Sequence, residues 1–568
     1  MYPASAAPVK LVPEHSVGIT RVAPQVILVD FGRVAFGNLL ITPPAGNAKP
    51  IKVHFGEALK NGRIDRKPPG SVRYAVVEMK PQGSRPVVVA PPANARNIKQ
   101  PEAVLTPESW GVVLPFRWVE IEDWPGELEP GQITRQSAFS AAWNDEDSSF
   151  HCSDEALNRI WQLCRYSIKA TTFAGVYVDG DRERISYEGD AYLNQLSHYA
   201  TGNDIQMARD TFDRLMKLPT WPTEWASHMV FMAHADWMHT GDTTWLAPRY
   251  EALKKKLLTA RTRADGLVLS NDQQTKHDDI VDWPVAERDG FVFTKTNTVV
   301  NAFHLRTLME MSRLARALGK KADADKYTAD AAIAGSNFQK ILFNPAKGIY
   351  RDGIGTEHSS LHANLFPLAF GLVPAANRKS VSDWISGRGM ACSVYAAQYL
   401  LEGLFENGAA EQAVKLITAP GDRSWKHMLD SGTTITWEAW DQRYKPNQDW
   451  NHAWGAAPAN LLPRFVLGVQ ALTPGWKRAT IRPCPGGLTA AGGKVPTPLG
   501  PVLVDWKKGD SFEVALKLPP GMTARIELPA DEGTSGVSVN GKPVAAQRDG
   551  ARWILENDLT GSAKIEVK

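Results

Sequence analysis

Residues 179–190 read Asp179-Gly180-Asp181-Arg182-Glu183-Arg184-Ile185-Ser186-Tyr187-Glu188-Gly189-Asp190, and they hold five carboxylates and two guanidiniums. An apolar run precedes this stretch and an amphipathic run follows it, which predicts a loop leading into a helix. A carboxylate crowded by others and walled by aromatic rings can keep its proton near neutral pH, as a general acid must. The alternative is a helix N-terminus whose acids complement the helix dipole.

Helical periodicity surrounds this loop, from a segment that Ser153 is predicted to cap to about residue 468. Four turns recur between helical segments, and in each a glycine can take the left-handed position that ends a helix. In the first two turns Asp or Thr can cap the next helix. The turns are Thr201-Gly202-Asn203-Asp204, Thr240-Gly241-Asp242-Thr243, Leu318-Gly319-Lys320-Lys321 and Asn407-Gly408-Ala409. Roughly eleven or twelve segments predict six αα-hairpins closed into an (α/α)6 barrel, with a helical solenoid as the alternative.

Both flanks read as β structure. Short runs with period two and Gly/Pro punctuation fill residues from about 20 to 140, and similar runs follow Pro474-Gly475, including an Asn540-Gly541 hairpin signal. The predicted fold is an N-terminal β-sandwich over residues 1–145, an (α/α)6 barrel catalytic domain over 146–470 and a C-terminal β-sandwich over 471–568.

Composition narrows the function classes. A formal charge of +3 on 568 residues, without a long Lys/Arg block, indicates neither a nucleic-acid nor an anionic-membrane partner. No apolar run approaches the roughly 20 residues of a membrane-spanning helix. The small, Pro-rich start, residues 1–8, resembles a chain cut just after a signal, so we expect a periplasmic or secreted protein, with a cytoplasmic location as the alternative. The four scattered cysteines predict buried free thiols rather than a disulfide framework.

A second cluster of acids and aromatics reads Ser431-Gly432-Thr433-Thr434-Ile435-Thr436-Trp437-Glu438-Ala439-Trp440-Asp441, with Asn451-His452 downstream. The two carboxylate stretches can converge on one mouth of a helical barrel. Inverting glycoside hydrolysis needs such a pair, a protonated acid and an ionised base roughly 6.5–9.5 Å apart. The alternative for Glu438 is a buried carboxylate paired with an arginine such as Arg443.

Tryptophan supplies the third signal, since 19 Trp is a high number and Trp recurs in sites that stack on sugar rings. Two segments, 220–225 and 278–284, place Trp beside Pro at predicted helix starts, where the ring can wall a sugar pocket or simply pack in the core. The acids and histidine at 277–282 fit no standard metal spacing, so we predict no metal site and no cofactor.

The stretch from Asp179 to Ala191 resembles the general-acid motif of the α-L-rhamnosidases of glycoside hydrolase family 78. Glu438, within Trp437-Glu438-Ala439-Trp440, is similar to the Glu of the family's Thr-Thr-x-Trp-Glu-x-Trp segment, Asn451-His452 is similar to its downstream Asn-His, and the domain order is that family's core. The resemblance implies that Glu183 is the general acid and Glu438 the general base of an inverting, exo-acting hydrolase that releases terminal α-L-rhamnose. The acid loop lacks the family's Cys-Pro, and Tyr187 stands where a Trp is usual.

A rhamnose pocket needs an apolar wall for the methyl group and charged partners for the hydroxyls. We assign the wall to Tyr187, Trp225, Trp283 and Trp440, and the hydroxyl partners to Asp179, Arg182, Asp190 and His452.

Two other functions stay open at this point: a polysaccharide lyase that uses Tyr187 or His452 as base and Arg182 to neutralise a uronate, or a glycan-binding protein without catalysis. The expected partner is a carbohydrate, either a rhamnosylated glycoside or a glycan. The sequence does not decide the oligomeric state.

Overall fold

The computed structural model describes residues 8–46, 49–81 and 83–568. Met1 to Ala7, most of the stretch that suggests a removed signal, lies outside the described residues, and the periplasmic or secreted location stays a prediction. Within the described part of the chain, no helix combines the length and the apolar character needed to cross a bilayer.

The N-terminal domain is built from antiparallel strands around a core of aliphatic and Phe side chains. Eight of the strands form one sheet in the order β1-β10-β3-β9-β4-β7, with β2 and β8 on β3, while β5 and β6 make a separate hairpin. The strands are β1 (Val9–His15), β2 (Gly18–Ala23), β3 (Val26–Ile41), β4 (Ile51–Gly56), β5 (Leu59–Lys60), β6 (Arg63–Ile64), β7 (Tyr74–Met79), β8 (Val87–Val89), β9 (Leu114–Glu122) and β10 (Ile133–Ser140).

The strand β3 is 16 residues long, although the Gly/Pro punctuation of this region predicted short strands. The chain continues through Gly32 by means of a register shift against β9 between Asp30 and Ala35. Gly32 has a φ of 77°, which glycine adopts without strain. Both halves of β3 therefore contribute inward side chains to the same core.

The middle of the chain is helical. In chain order it contains β11 (Ser149–Cys152), α1 (Glu155–Ala170), α2 (Glu188–Thr201), α3 (Gln206–Lys217), α4 (Thr223–Thr240), α5 (Thr243–Leu246), α6 (Tyr250–Leu253), α7 (Thr298–Ala317), α8 (Lys321–Leu342), β12 (Phe343–Asn344), β13 (Ile349–Tyr350), α9 (His362–Ala369), α10 (Arg378–Arg388), α11 (Val394–Glu406), α12 (Ala410–Ile417), α13 (Trp425–Asp430) and α14 (Pro458–Leu461). The cap of α1 is Asp154, whose side chain accepts from the Leu157 N–H, and not the predicted Ser153.

Six of these helices close a ring. α2 contacts α4, and contacts continue through α7, α9, α11 and α14 back to α2, while the other helices pack outside. Four of the ring helices run in one direction, because one loop touches the N-terminal end of each. In that loop Asp279 bonds Asn297, the cap of α7, and Asp282 bonds His362 of α9 and Ser393, the cap of α11. Glu224, at the start of α4, accepts from two N–H groups of the same loop.

Three of the four predicted hairpin turns have their glycine in the left-handed region: Gly241, Gly319 and Gly408. Gly202 is extended instead, with a φ of −156°. There the next helix is prepared by Asp204, whose carboxylate accepts from the N–H groups of Gln206 and Met207.

The C-terminal domain packs two sheets. One has the order β11-β16-β17-β18-β24-β20-β21 and the other β14-β15-β19-β23-β22. Its strands are β14 (Val469–Ala471), β15 (Arg478–Ile481), β16 (Ala490–Val495), β17 (Val502–Lys508), β18 (Phe512–Lys517), β19 (Thr523–Pro529), β20 (Val537–Val539), β21 (Lys542–Val544), β22 (Ala546–Asp549), β23 (Arg552–Leu555) and β24 (Ser562–Val567). The predicted class, a helical barrel between two β domains, is confirmed, and Asn540-Gly541 turns the β20–β21 hairpin as expected.

One strand that precedes the barrel in sequence belongs to a sheet of the C-terminal domain. β11 precedes the first helix, yet it pairs antiparallel with β16 at the edge of the C-terminal sheet. The barrel and this sandwich also share one continuous hydrophobic core, and the Trp506 indole donates to the Val466 carbonyl across the junction. The chain thus enters the C-terminal sandwich before it builds the barrel.

Aromatic rings fill the inside of the ring of helices. Phe303 of α7 is fully buried, and its ring lies 4.9 Å from Phe366, 5.0 Å from Phe370 and 5.9 Å from Phe231 between ring centroids. These contacts join α4, α7 and α9, so the packing around Phe303 holds three inner helices together.

We expect Phe303→Ala to lower the melting temperature strongly, because truncating a buried Phe costs about 3–5 kcal/mol in lost transfer energy and cavity formation. Thermal unfolding followed by circular dichroism measures the effect. Ile333→Ala on α8 is the matched control, since Ile333 is 51% exposed. Equal shifts in the two variants would contradict the packing described here.

Candidate active site

A cavity of about 260 Å³ opens at the end of the ring where the inner helices begin. Nine of the ten predicted site residues line it, including both carboxylates assigned to catalysis, Glu183 and Glu438. The others are Asp179, Arg182, Tyr187, Asp190, Trp225, Trp283 and His452. Two loops that are far apart in the sequence therefore meet in one pocket.

The acid loop folds tightly on itself before α2. The Asp179 side chain accepts from the Ile185 N–H at 2.9 Å, and the Asp179 N–H donates to the Ile185 carbonyl at 2.8 Å. Gly180 has a φ of 139°, and a Cβ there would lie 2.6 Å from the Asp449 carboxylate. Only glycine fits between the two loops at this position.

Asp181 anchors this loop to the N-terminal domain. Its fully buried carboxylate accepts from Arg184 of the same loop and from Arg73 of the sheet domain. Asn97 donates to the Asp181 carbonyl at 3.2 Å, and the Asp181 N–H donates to Asn451 at 2.7 Å. The N-terminal domain therefore shapes the site, although its sequence shows no cluster of catalytic residue types.

Glu438 is paired with Arg182 and not with Arg443. Arg182 Nη2 donates to Glu438 Oε1 at 3.0 Å, Nη1 contacts the other oxygen, and Lys445 Nζ lies 3.4 Å from Oε1. The carboxylate is only 2% exposed. Arg443 instead contacts Asp422 and Asp441 near the surface. Two cations thus hold a carboxylate on the cavity floor.

Glu183 lies higher in the cavity and is 26% exposed. Its Oε1 accepts from Arg96 of the N-terminal domain at 2.6 Å and lies 3.5 Å from Arg182 Nε, while the Tyr187 hydroxyl is 3.5 Å from Oε2. The Arg182 guanidinium contacts both Glu183 and Glu438, so the two carboxylates are separated by about one guanidinium and its contacts.

His452 connects the remaining acids. Its Nε2 lies 2.7 Å from Asp190 and its Nδ1 lies 3.1 Å from Asp449. Burial opposes the charged form, but the carboxylates of Asp449 and Asp190 outweigh it and raise the pKa of His452 well above its ordinary value. Since both ring nitrogens already bond carboxylates, His452 orients Asp190 rather than presenting a free hydrogen-bond donor.

Three buried polar atoms of residues that line the cavity have no hydrogen-bond partner among the residues that the structure describes: Asp179 Oδ2, Arg182 Nε and Trp225 Nε1. Arg182 Nε keeps its 3.5 Å ionic contact with Glu183, and Asp179 Oδ2 lies 3.9 Å from Arg182 Nη2. Burial raises the pKa of Asp179 well above its usual range, against the opposing charges of His452 and Arg182. Because they belong to residues around one cavity, these atoms can form hydrogen bonds with a ligand that carries several hydroxyls.

The apolar side of the cavity is aromatic. The rings of Tyr187 and Trp225 meet edge to face at 5.4 Å, and a Cβ on Gly189 would lie 3.0 Å from the Trp225 indole. Burial raises the pKa of Tyr187. Lys445 Nζ lies 5.4 Å from the centroid of Trp283, whose indole forms another part of the wall.

Trp440, the fourth predicted wall residue, does not line the cavity. Its indole is fully buried in the core, meets Trp425 edge to face at 4.9 Å and donates to the Cys392 carbonyl at 2.7 Å. A buried indole N–H needs a hydrogen-bond acceptor, and that of Trp440 has one in the protein interior. The local sequence does not distinguish such a core position from a position in the wall of a pocket.

Five lining residues were not assigned to the pocket: Trp221, Ile280, Lys445, Asn447 and Trp454. Trp221 and Ile280 lie in the two Trp-Pro segments, and Trp454 follows Asn451-His452, so proximity to a motif was an available signal. Lys445 and Asn447 carry no such signal, because an isolated Lys or Asn is most often a surface residue.

Glu438, Asp449 and His452 are the described residues that come close enough to suggest a metal, with ligand atoms within 4.8 Å of one another. The donor set does not fit a cation, because Arg182 and Lys445 already lie on Glu438 and both His452 nitrogens are bonded. The acids at 278–282 point to separate partners, such as Ser270 for Asp279 and His362 for Asp282.

Three family models match the chain. The model described as the bacterial alpha-L-rhamnosidase 6 hairpin glycosidase domain covers residues 145–466, which is more than half of the chain. The models of the C-terminal domain and of the concanavalin-like domain of the same proteins cover residues 468–542 and 20–89.

Curated relatives are more distant in sequence. An alpha-L-rhamnosidase from Formosa agariphila is 23% identical over 74% of this chain and 48% of its own length. One from Alteromonas sp. (strain LOR) is 24% identical over 90% of this chain and 56% of its own length. The chain thus spans about half the length of the curated relatives it matches.

Solved structures share the fold. The alpha-L-rhamnosidase from Dictyoglumus thermophilum superposes with a TM-score of 0.83 at 20% identity, covering 100% of this chain and 64% of that one. The Streptomyces avermitilis alpha-L-rhamnosidase, solved with L-rhamnose, has a TM-score of 0.80 at 19% identity and covers 100% and 54%.

We expect Asp449→Asn to destabilise the protein most at acid to neutral pH. Because the pKa of His452 is raised on folding, its charged pairs contribute fully below the ordinary value of 6.5 and are lost as pH rises through the folded value. Removing one partner of a buried pair costs about 3–5 kcal/mol. Melting temperatures between about pH 5.5 and about pH 9.5 measure this, and the deficit against wild type should narrow towards alkaline pH.

Asp505→Asn is the control, since Asp505 is 60% exposed and lies 3.4 Å from the exposed His151. Surface pairs contribute about 0–1 kcal/mol, so this variant should melt like wild type. A deficit of Asp449→Asn that stayed constant across the pH range would contradict a charged His452.

Proposed function

Because the chain belongs to the bacterial α-L-rhamnosidase family, glycoside hydrolase family 78, we propose that it releases terminal α-L-rhamnose from glycosides or glycans by hydrolysis. The observation that carries this proposal is the meeting of Glu183 and Glu438 in one cavity of about 260 Å³. A pocket this small holds a single sugar ring, which favours exo action on chain ends.

Glu183 is proposed as the general acid. It is the more exposed of the two carboxylates, so it lies where a leaving group emerges from the pocket. Its proton moves to the glycosidic oxygen as the bond between that oxygen and the anomeric carbon breaks, and the leaving group departs as an alcohol.

Glu438 is proposed as the general base. Its place between Arg182 and Lys445 supplies two cations that stabilise a carboxylate. The carboxylate takes a proton from a water molecule while the water oxygen bonds to the anomeric carbon from the opposite face. The products are rhamnose of inverted configuration and the free leaving group.

Sugar recognition is proposed to rest on the unsatisfied polar atoms of Asp179, Arg182 and Trp225, together with Asp190 held by His452. Hydrogen bonds with an ionised partner are roughly twice as strong as neutral ones. Tyr187, Trp225 and Trp283 supply the apolar wall, without Trp440.

The lyase alternative finds no support in the site. Its candidate bases, Tyr187 and His452, both have raised pKa values, Tyr187 by burial and His452 by its acidic partners. Neither is therefore an effective proton acceptor near neutral pH. Arg182, its candidate for neutralising a uronate, is bonded to Glu438.

We expect Glu183→Gln and Glu438→Gln each to reduce turnover of an aryl α-L-rhamnoside by about 10²–10⁴-fold, because proton transfer by a placed group contributes that much. The Glu183 variant should keep its melting temperature, since the side chain is 26% exposed. Glu411→Gln is the control, an exposed acid paired with Lys415 on α12. Near-normal rates in both active-site variants would refute the assignment.

The first sugar released should be the anomer opposite to that of the substrate, because water attacks the face opposite to the leaving group. Proton NMR taken in the first minutes of hydrolysis, before mutarotation, distinguishes the two anomers. Retained configuration would exclude the inverting mechanism. A product absorbing in the near ultraviolet would show elimination, and no product from any rhamnoside would reject the substrate class.

A further inference from the structure

The charged groups of the site are arranged by depth. Side chains of Asp179, Asp190 and Glu438 are 2–3% exposed, whereas Glu183 is 26% exposed and Arg96 is 52% exposed. Arg96 Nη2 reaches Glu183 Oε1 at 2.6 Å from the outer side. A leaving group that passes Glu183 on its way to solvent meets Arg96 next.

Arg96 is held in this position by its neighbours. Its N–H donates to the Asn94 side chain at 3.0 Å, and the next residue, Asn97, is 2% exposed and bonds both the carbonyl and the carboxylate of Asp181 in the acid loop. The N-terminal domain thus presents a guanidinium at the mouth of a site built by the barrel.

Glu183 balances the charge of Arg96 while its carboxylate is ionised. Among the described residues, Glu183 is the carboxylate that forms an ion pair with Arg96. The proposed reaction needs Glu183 in its protonated, neutral form, which leaves the guanidinium without a counter-charge when substrate is bound. An anionic group on the substrate can replace it, since Arg binds carboxylates through two parallel hydrogen bonds.

We propose that Arg96 forms a leaving-group subsite that selects rhamnosides whose leaving group is a ring bearing a carboxylate. This inference rests on the proposed function and specifies its substrate class. Trp221 supplies the ring platform: it lines the same cavity, is 48% exposed and lies 4.6 Å from the His277 ring. A carboxylate at the mouth also draws Arg96 away from Glu183 as the proton is donated.

The test compares two matched substrate pairs. One pair is rhamnose linked to a glucuronate and rhamnose linked to glucose, and the other is carboxyphenyl α-L-rhamnoside and its methyl ester. We expect wild type to have a kcat/KM for the acidic member about threefold to tenfold above the neutral member at low salt. The preference should shrink between about 0.01 M and about 1 M salt, where the screening length falls from about 30 Å to about 3 Å.

Arg96→Gln should bring the acidic-to-neutral ratio to about one while the neutral substrates are still hydrolysed, and Arg96→Lys should restore part of the preference because the charge returns. Arg21→Gln is the matched control, a surface arginine of the same domain paired with Glu127 at 3.0 Å, and it should leave the ratio unchanged. The melting temperature reports on folding in every variant, and the acidic-to-neutral ratio cancels any change in Glu183 that both members of a pair share.

If the acidic member is preferred in just one of the two pairs, that pair identifies the carboxylate as belonging to a sugar acid or to an aromatic acid. Such a preference supports the proposal if it depends on Arg96. Equal rates within both pairs, or a preference that Arg96→Gln leaves unchanged, would overturn the subsite while hydrolysis of neutral rhamnosides upholds the proposed function. If no rhamnoside of either pair is cleaved, the proposed function and the subsite are both rejected.

Discussion

The ion pair between Arg182 and Glu438 joins two loops that lie 256 residues apart. Both side chains are nearly excluded from water, where desolvation costs about as much as the attraction returns, so the pair constrains geometry more than it adds stability. Arg182 also contacts Glu183, and the missing side chain of Gly180 lets Asp449 and Asn451 approach the acid loop closely. A shift of either loop would therefore displace both proposed catalytic groups together.

The barrel makes this meeting of loops possible because α2, α4, α7, α9 and α11 begin at the same mouth. Helix N-termini carry partial positive charge, and carboxylates placed there are stabilised. Asp279 and Asp282 take that role at several helix starts, while Asp190 stands in the first turn of α2 and bonds His452. The barrel architecture thus explains both the acids that bond the starts of the helices, Asp279 and Asp282, and the acid that lines the cavity, Asp190.

Much of this organisation was predictable from sequence because the deciding signals are local. Periodicity and left-handed glycines predicted the hairpins, and short motifs predicted Glu183, Glu438 and seven further lining residues. The contacts that the N-terminal domain makes with the acid loop were not predictable. They come from Arg73, Asn97 and Arg96, and no local sequence pattern encodes how that domain packs on the barrel. Trp440 was misplaced because a core indole and a wall indole look alike in sequence.

The strand β11 has a consequence for how the chain is made. It leaves the ribosome early, yet its partner β16 is synthesised only after the whole barrel, and the Thr489 N–H bonds Ser153 across 336 residues. Until β16 is made, β11 has no strand to pair with. Domains usually fold in the order of their synthesis, but here the barrel and the C-terminal sandwich depend on each other. The C-terminal sandwich fixes β11, the strand that precedes the barrel, by pairing it with β16. Truncation within this sandwich would therefore remove the pairing that holds the start of the barrel in place.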